Sequence, residues 1–129
     1  MTPAELLHKH LANIAQPVAV QDLSIYADDI VCLFPYAPDG HTQRLEGPAA
    51  FGKFLAAVGG FAMDRKVDDL VVYGTESGAV ATYTHSFTVK DTGAPFTGAM
   101  VYVVDVADGK IVRFREYYDT VKLLKAFGE

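Results

Sequence analysis

Glu116 stands in a run whose alternate positions are otherwise apolar or aromatic: Val112, Phe114, Glu116 and Tyr118. Strand residues two apart share a face. The spacing therefore predicts one face holding these four, with Ile111, Arg113, Arg115, Tyr117 and Asp119 on the other. A carboxylate on an apolar face is either paired or raised in pKa. A carboxyl group raised toward neutrality can both give and take a proton, which is general acid–base chemistry. A second alternating run offers companions. In Gly78 to Lys90, one face carries Ala81, Tyr83, His85, Phe87 and Val89; the other carries Val80, Thr82, Thr84, Ser86 and Thr88. His85 could pair with Glu116 or act as a second acid–base group. Tyr83 or Tyr102 could donate a hydrogen bond to a developing oxyanion.

Plainer readings stand beside these. Glu116 could be a half-buried acid paired with a Lys or Arg. His85 could be a core histidine with its hydrogen bonds satisfied. Tyr83 and Tyr102 could be packing residues with bonded hydroxyls. Cys32 reads as a small buried hydrophobe rather than a nucleophile. His8 and His10, two apart on a helix, do not face each other and make a poor metal pair. His10 reads as core, and His41 as a solvated loop residue.

These groups need elements to position them. Asp108-Gly109 is a hairpin signal that starts the strand carrying Glu116. Thr2-Pro3-Ala4-Glu5 is a capped helix start, with Leu7, Leu11 and Ile14 on one face until Pro17. A second short helix is expected over Val18 to Tyr26, a strand over Ile30 to Tyr36, and a polar loop over Ala37 to Glu46. Gly47-Pro48 opens a third helix with an apolar stripe of Phe51, Phe54, Leu55 and Val58, stopped by Gly59-Gly60. Strands are expected over Phe61 to Thr75, Gly78 to Lys90 and Pro95 to Ala107, then the closing strand and a short tail or helical turn, Thr120 to Phe127. In Pro95 to Ala107, Met100, Tyr102, Val104 and Val106 share one face, while Val101, Val103 and Asp105 share the other. A strand apolar on both sides is covered on both, so the outer face points to a second copy of the chain.

Helices followed by antiparallel strands make an α+β pattern. The 129 residues form one domain by size, and half of them are hydrophobic. The formal net charge of −5 and the lack of a basic run argue against nucleic acid and anionic membrane as partners. No apolar stretch reaches the ~20 residues of a membrane span. The single Cys32 and the absence of a signal-peptide plan lead to a cytoplasmic expectation.

Four features together resemble the nuclear transport factor 2-like superfamily, in its SnoaL-like polyketide cyclase branch. They are the capped first helix, Tyr26-Ala27-Asp28-Asp29, Gly47-Pro48-Ala49-Ala50-Phe51, and the closing Asp108-Gly109-Lys110-Ile111 with Arg115-Glu116-Tyr117-Tyr118-Asp119. The resemblance implies a cone: a curved antiparallel sheet with N-terminal helices over its concave face, enclosing a pocket. It implies homodimers through the outer sheet face. It favours Cys32, Phe34 and Tyr36 as the inward face of the first strand. The family's ketosteroid isomerases carry an aspartate before a proline on that strand; here Phe34 precedes Pro35. Its epoxide hydrolases hold water with a tyrosine and an asparagine where this chain has Cys32 and Phe34. Their Arg-x-Asp pair falls on Tyr83 and His85, and a cyclase histidine falls on Tyr102. The Arg115-Glu116 pair keeps the acid of the last strand.

Taken together, the expected catalytic groups are Glu116, His85 and Tyr83. The expected ligand wall is Cys32, Phe34, Tyr36, Phe54, Met100, Tyr102, Phe114 and Tyr118. Proton abstraction next to a carbonyl needs no metal or organic cofactor, and the ligand would be a small hydrophobic molecule. A binding module with the same pocket, or a structural subunit valued for its outer sheet face, are the alternatives.

Overall fold

The computed structural model describes residues 1–16 and 20–128. The first helix, α1 (Pro3–Ala15), starts on the capping box. Thr2 Oγ1 accepts from the Glu5 N–H at 3.2 Å, and the Glu5 carboxylate accepts from the Thr2 N–H at 3.3 Å. Leu6, Leu7, His10 and Asn13 are its buried residues. His10 is fully buried, with Nδ1 2.7 Å from the Tyr26 hydroxyl. Desolvation pushes its pKa down to about 3, so it is a neutral core histidine.

Within the expected second helix, Leu23–Ile25 form a 3₁₀ turn; its Val18 start lies outside the described residues. Asp22 accepts from the Ser24 N–H and hydroxyl, which favours a local turn over a continued helix. Strand β1 (Tyr26–Leu33) therefore begins earlier than expected and ends before Phe34. The polar loop contains a short strand, β2 (Arg44–Glu46), paired with β1. Helix α2 (Gly47–Phe61) runs through Gly59-Gly60. Glycine permits a stop without forcing one, and Phe61 is held by ring contacts to Phe87 and Phe127. The Val58 side chain lies outside the described residues.

Then come β3 (Ala62–Gly74), β4 (Gly78–Val89), β5 (Pro95–Ala107) and β6 (Lys110–Tyr118), and a full helix, α3 (Thr120–Phe127), where a short tail or a helical turn was expected. The Asp119 carboxylate caps α3 by accepting from the Lys122 N–H. The six strands form one sheet in the order β2-β1-β6-β5-β4-β3. It is antiparallel except where β1 meets β6, which is a parallel pair.

Bulges bend this sheet into a cone. In β3 the register slips twice, and Asp64 and Asp69 take positive φ near the slips. Aspartate tolerates the left-handed region better than most residues, and a bulge adds twist and bend. Strand β6 carries a bulge too. Asp105 pairs with Arg113 but Val106 pairs with Ile111, so Val112 is the extra residue. That corrects one face assignment: Ile111 turns inward and is fully buried. The slip precedes Phe114, so Phe114, Glu116 and Tyr118 keep their shared inner face, opposite Val104, Tyr102 and Met100. The Asp108-Gly109 turn has φ of 52° and 74°, the left-handed pair that a two-residue hairpin requires.

Two apolar clusters fill the cone. The larger joins α1, α2 and the middle of the sheet through Leu6, Leu7, Ile30, Phe51, Leu55, Tyr102 and Phe114. The smaller holds Ala62, Phe87, Val89, Phe96 and Ala126, with Phe61, Leu123 and Phe127 against it. The clusters do not meet everywhere, and the space between them is the cavity.

Candidate active site

The cavity has a volume of about 500 Å³, enough for a small organic molecule. Its wall is mostly ring and aliphatic carbon from both clusters, including Phe34, Phe54, Phe61, Phe87, Phe96, Met100, Leu123 and Phe127. Into this wall the strands project Tyr83 and His85 from β4, Tyr102 from β5, Glu116 and Tyr118 from β6, and Arg65 from β3. Gly98 faces His85 across the β4–β5 ladder. A Cβ there would lie 2.8 Å from the Phe96 ring, so glycine lets that ring fold along β5.

Glu116 is enclosed by protein yet faces the cavity, so it counts as half-buried. Desolvation pushes its pKa up to about 7. A hydrogen bond from the Tyr102 hydroxyl and the positive charge of Arg65 hold it back from rising further. Tyr102 itself is pushed well up, first by burial and then by the charge of Glu116. Its hydroxyl keeps its proton and can donate near neutral pH. Tyr83 is raised for the same two reasons.

His85 is pushed down to about 4, by burial first and Arg65 second. It is neutral at pH 7. Arg65 Nη1 lies 3.3 Å from His85 Nε2. An arginine can only donate, so Nε2 accepts and the ring proton sits on Nδ1. His85 thus bonds to Arg65, and Glu116 to Tyr102. The ladder explains why. Glu116 pairs with Tyr102 and Tyr102 with Ala81, two strands away and four residues before His85. On a flat sheet that separates the Cα atoms by ~16 Å, which curvature shortens. The two groups look into one cavity from different parts of its wall.

Of the expected ligand wall, Phe34, Phe54, Met100, Tyr102 and Tyr118 line the cavity. Three residues do not. Phe114 faces inward but is fully buried beneath the wall, with His10, Phe51 and Phe54 rings around it. Cys32 is fully buried beside it in the parallel β1–β6 pair. Burial and then the Glu116 charge push its thiol up to about 12, which leaves it protonated and a poor nucleophile. Tyr36 lies past the end of β1, 62% exposed, and packs edge-on against Tyr117.

The sequence reading missed Arg65, His41 and the aromatic rim of Phe61, Phe87, Phe96 and Phe127. Arg65 lay in a stretch whose alternation is scrambled by the Asp64 bulge. The signal was present: an aspartate in a strand is a left-handed candidate, and a bulge there reverses the faces. His41 was expected in solvent but lines the cavity. Among the described residues, no group of three or more His, Cys, Asp or Glu side chains could hold a metal ion.

Residues 18–114 match the model of the SnoaL-like domain family; the match ends before Glu116. The chain is 27% identical over 133 residues to the uncharacterized protein YesE of Bacillus subtilis strain 168, across 96% of this chain and 86% of that one. A crystal structure of a Bacillus subtilis protein described as a candidate isomerase superposes with a TM-score of 0.85 at 26% identity, covering 98% of this chain and 92% of that one. A candidate polyketide cyclase from Pseudomonas putida KT2440 superposes with a TM-score of 0.81 at 20% identity, covering 98% of each chain.

Proposed function

Because the chain belongs to the SnoaL-like family and has the nuclear transport factor 2-like fold, we propose that it is a cofactor-free acid–base enzyme acting on a hydrophobic carbonyl compound. Glu116 is its proton carrier. The observation that carries this reading is the Glu116 carboxyl group, raised to about 7 in an apolar cavity and hydrogen-bonded by Tyr102. A pKa near the working pH suits a group that must first take a proton and then return it.

The Glu116 carboxylate removes a proton from the carbon next to the carbonyl. The C–H electron pair becomes the enolate double bond, and the charge moves to the carbonyl oxygen. The Tyr83 hydroxyl donates to that oxygen, while Tyr102 orients the carboxylate. Return of the proton to a different carbon is isomerisation. Attack of the enolate carbon on a second carbonyl is cyclisation. Loss of a β-hydroxyl as water, protonated by Glu116 with the proton taken from carbon, is dehydration. The description of the Bacillus subtilis structure as a candidate isomerase supports the first of these.

The test is deuterium uptake from D₂O by 2-tetralone and 1-indanone, followed by proton NMR. Exchange above the buffer rate is expected, rising with pH through about 7 and then level, as deprotonation creates the base. No enzyme-dependent exchange, or a rate flat from about pH 5 to 9, would sink Glu116 as the base and leave a binding module for an apolar ligand.

The same proposal includes a homodimer through the outer sheet face. Across the strands, Tyr73, Val80, Val103, Arg115 and Leu33 form one row, and Val71, Thr82, Val101 and Tyr117 the next. Tyr73 is 60% and Val71 45% exposed in the single chain. Light scattering at tens of micromolar should give twice the 14.0 kDa chain mass; a monomer contradicts the assignment. No described helix is long and apolar enough to cross a membrane. The single buried Cys32 suits a reducing, cytoplasmic setting.

A further inference from the structure

The cavity has two chemically different ends. One is the wall around Glu116, with Tyr83, Tyr102 and Tyr118. The other is the part that the smaller apolar cluster contributes: Phe61, Phe87, Phe96, Leu123 and Phe127. Those five side chains are hydrocarbon throughout, and no acid–base step uses them. A row of rings, from Tyr102 on β5 to Tyr83, His85 and Phe87 on β4, measures the distance between the ends. The centroids step 6.3 Å from Tyr102 to Tyr83, 6.0 Å on to His85 and 5.0 Å on to Phe87.

Helix α3 closes the hydrocarbon end and is held at several points. Leu123, Ala126 and Phe127 share one face at helical spacing. Ala126 is buried, and its carbonyl accepts from the Thr92 hydroxyl at 2.7 Å. Asp119 caps the start of the helix, and Gly128, with φ of 81°, ends it. Leu123 and Phe127 stay only partly buried and line the cavity.

The angles between the rings select the shape of a ligand. Phe61 meets Phe87 at 80° and Phe127 at 59°. Phe87 and Phe96 are near parallel at 19°, but their centroids are 4.7 Å apart. A flat ring inserted between two others needs about 7 Å, twice a van der Waals separation. Among the described residues, no ring pair at this end offers that slot. A flexible chain can lie against faces and edges at different angles, and each methylene leaves water for a carbon wall.

We propose that this end is a subsite for an unbranched alkyl chain, so that the substrate is a long-chain ketone whose carbonyl lies at Glu116. This deepens the acid–base reading of the same cavity and rests on it. Leu123 and Phe127 are binding residues in this scheme, with Glu116 moving the proton.

Calorimetry with 2-hexanone, 2-octanone, 2-decanone and 2-tetralone tests the subsite without any turnover. Across the wild-type series of alkanones, affinity should rise about two- to fourfold per added methylene. The chain should also bind 2-decanone more tightly than 2-tetralone, which has the same number of carbons. Leu123→Trp, which fills that end, should bring 2-hexanone and 2-decanone within about threefold of each other. Should Leu123→Trp fail to fold, Phe127→Ala, which opens the wall to water, should weaken 2-decanone at least about fivefold. A flat wild-type series overturns the proposal, as does no binding of any of these ketones or tighter binding of 2-tetralone. An unchanged series in a folded Leu123→Trp or Phe127→Ala overturns it too. A rising series without deuterium exchange would sink the acid–base reading and leave the chain subsite standing. Exchange with a flat series would do the reverse.

Discussion

Glu116→Gln is expected to lower enzyme-dependent deuterium exchange by about 10²–10⁴-fold, the usual contribution of a positioned acid–base group. Glutamine has nearly the same shape, and its amide oxygen can still accept from Tyr102, so the cavity should persist. What it lacks is a proton that can leave and return. Equal exchange by the two proteins would remove Glu116 from the mechanism. The same substitution has a stability signature of opposite sign. Below its ordinary value of 4.5 the carboxyl is protonated in both folded and unfolded chains and contributes nothing. Between there and about 7 the unfolded chain releases the proton while the folded chain keeps it, so stability falls as pH rises. Above about 7 the full cost of a buried charge is present. The shift corresponds to about 3 kcal/mol, reduced to about 2 kcal/mol because the carboxyl faces an open cavity. Urea unfolding should show Glu116→Gln more stable than wild type by that amount at pH 8, with the gap closing toward pH 5. A gap that is constant with pH would mean the carboxyl is not desolvated.

Phe114→Ala is expected to cost about 3–5 kcal/mol of stability, the range for removing a fully buried ring. Phe114 has no exposed surface and sits among the rings of His10, Phe34, Phe51 and Tyr102. Its loss leaves a void that these neighbours cannot all close. Phe54→Ala offers the contrast. Phe54 is only partly buried and lines the cavity, so its removal should cost less stability, about 1–2 kcal/mol, and weaken binding of an aromatic ligand more. Urea midpoints and calorimetry on both variants separate core from wall. If Phe114→Ala left stability within about 1 kcal/mol of wild type, the ring would not be a core residue.

The contrast between these two phenylalanines shows where sequence reading stops. Both were expected in the ligand wall, because alternation tells which face a side chain takes and nothing about depth. Phe114 lies under α1 and α2, while Phe54 lies at the edge of the packed cluster, and only the docking of the helices separates them. The same holds for Cys32, read correctly as a small buried residue and wrongly as wall. Tyr36 failed for a local reason: β1 ends at Leu33, so alternation no longer governs it. Arg65 was passed over and Ile111 placed on the wrong face, because a bulge reverses the faces.

Short-range signals were readable wherever one local force dominates. The Thr2–Glu5 capping box and the Asp108-Gly109 turn are set by hydrogen bonds and φ preferences within a few residues. The inward face of β4 and the α+β class follow from side-chain periodicity, and the placing of Glu116 on an apolar face follows from the same rule. Long-range facts had to come from the fold. Which strand neighbours which brought Tyr102, not His85, to Glu116, and the bend at Asp64 brought Arg65 into the same cavity. A hydrogen bond or a charge acts through space, and the chain order alone does not measure that space.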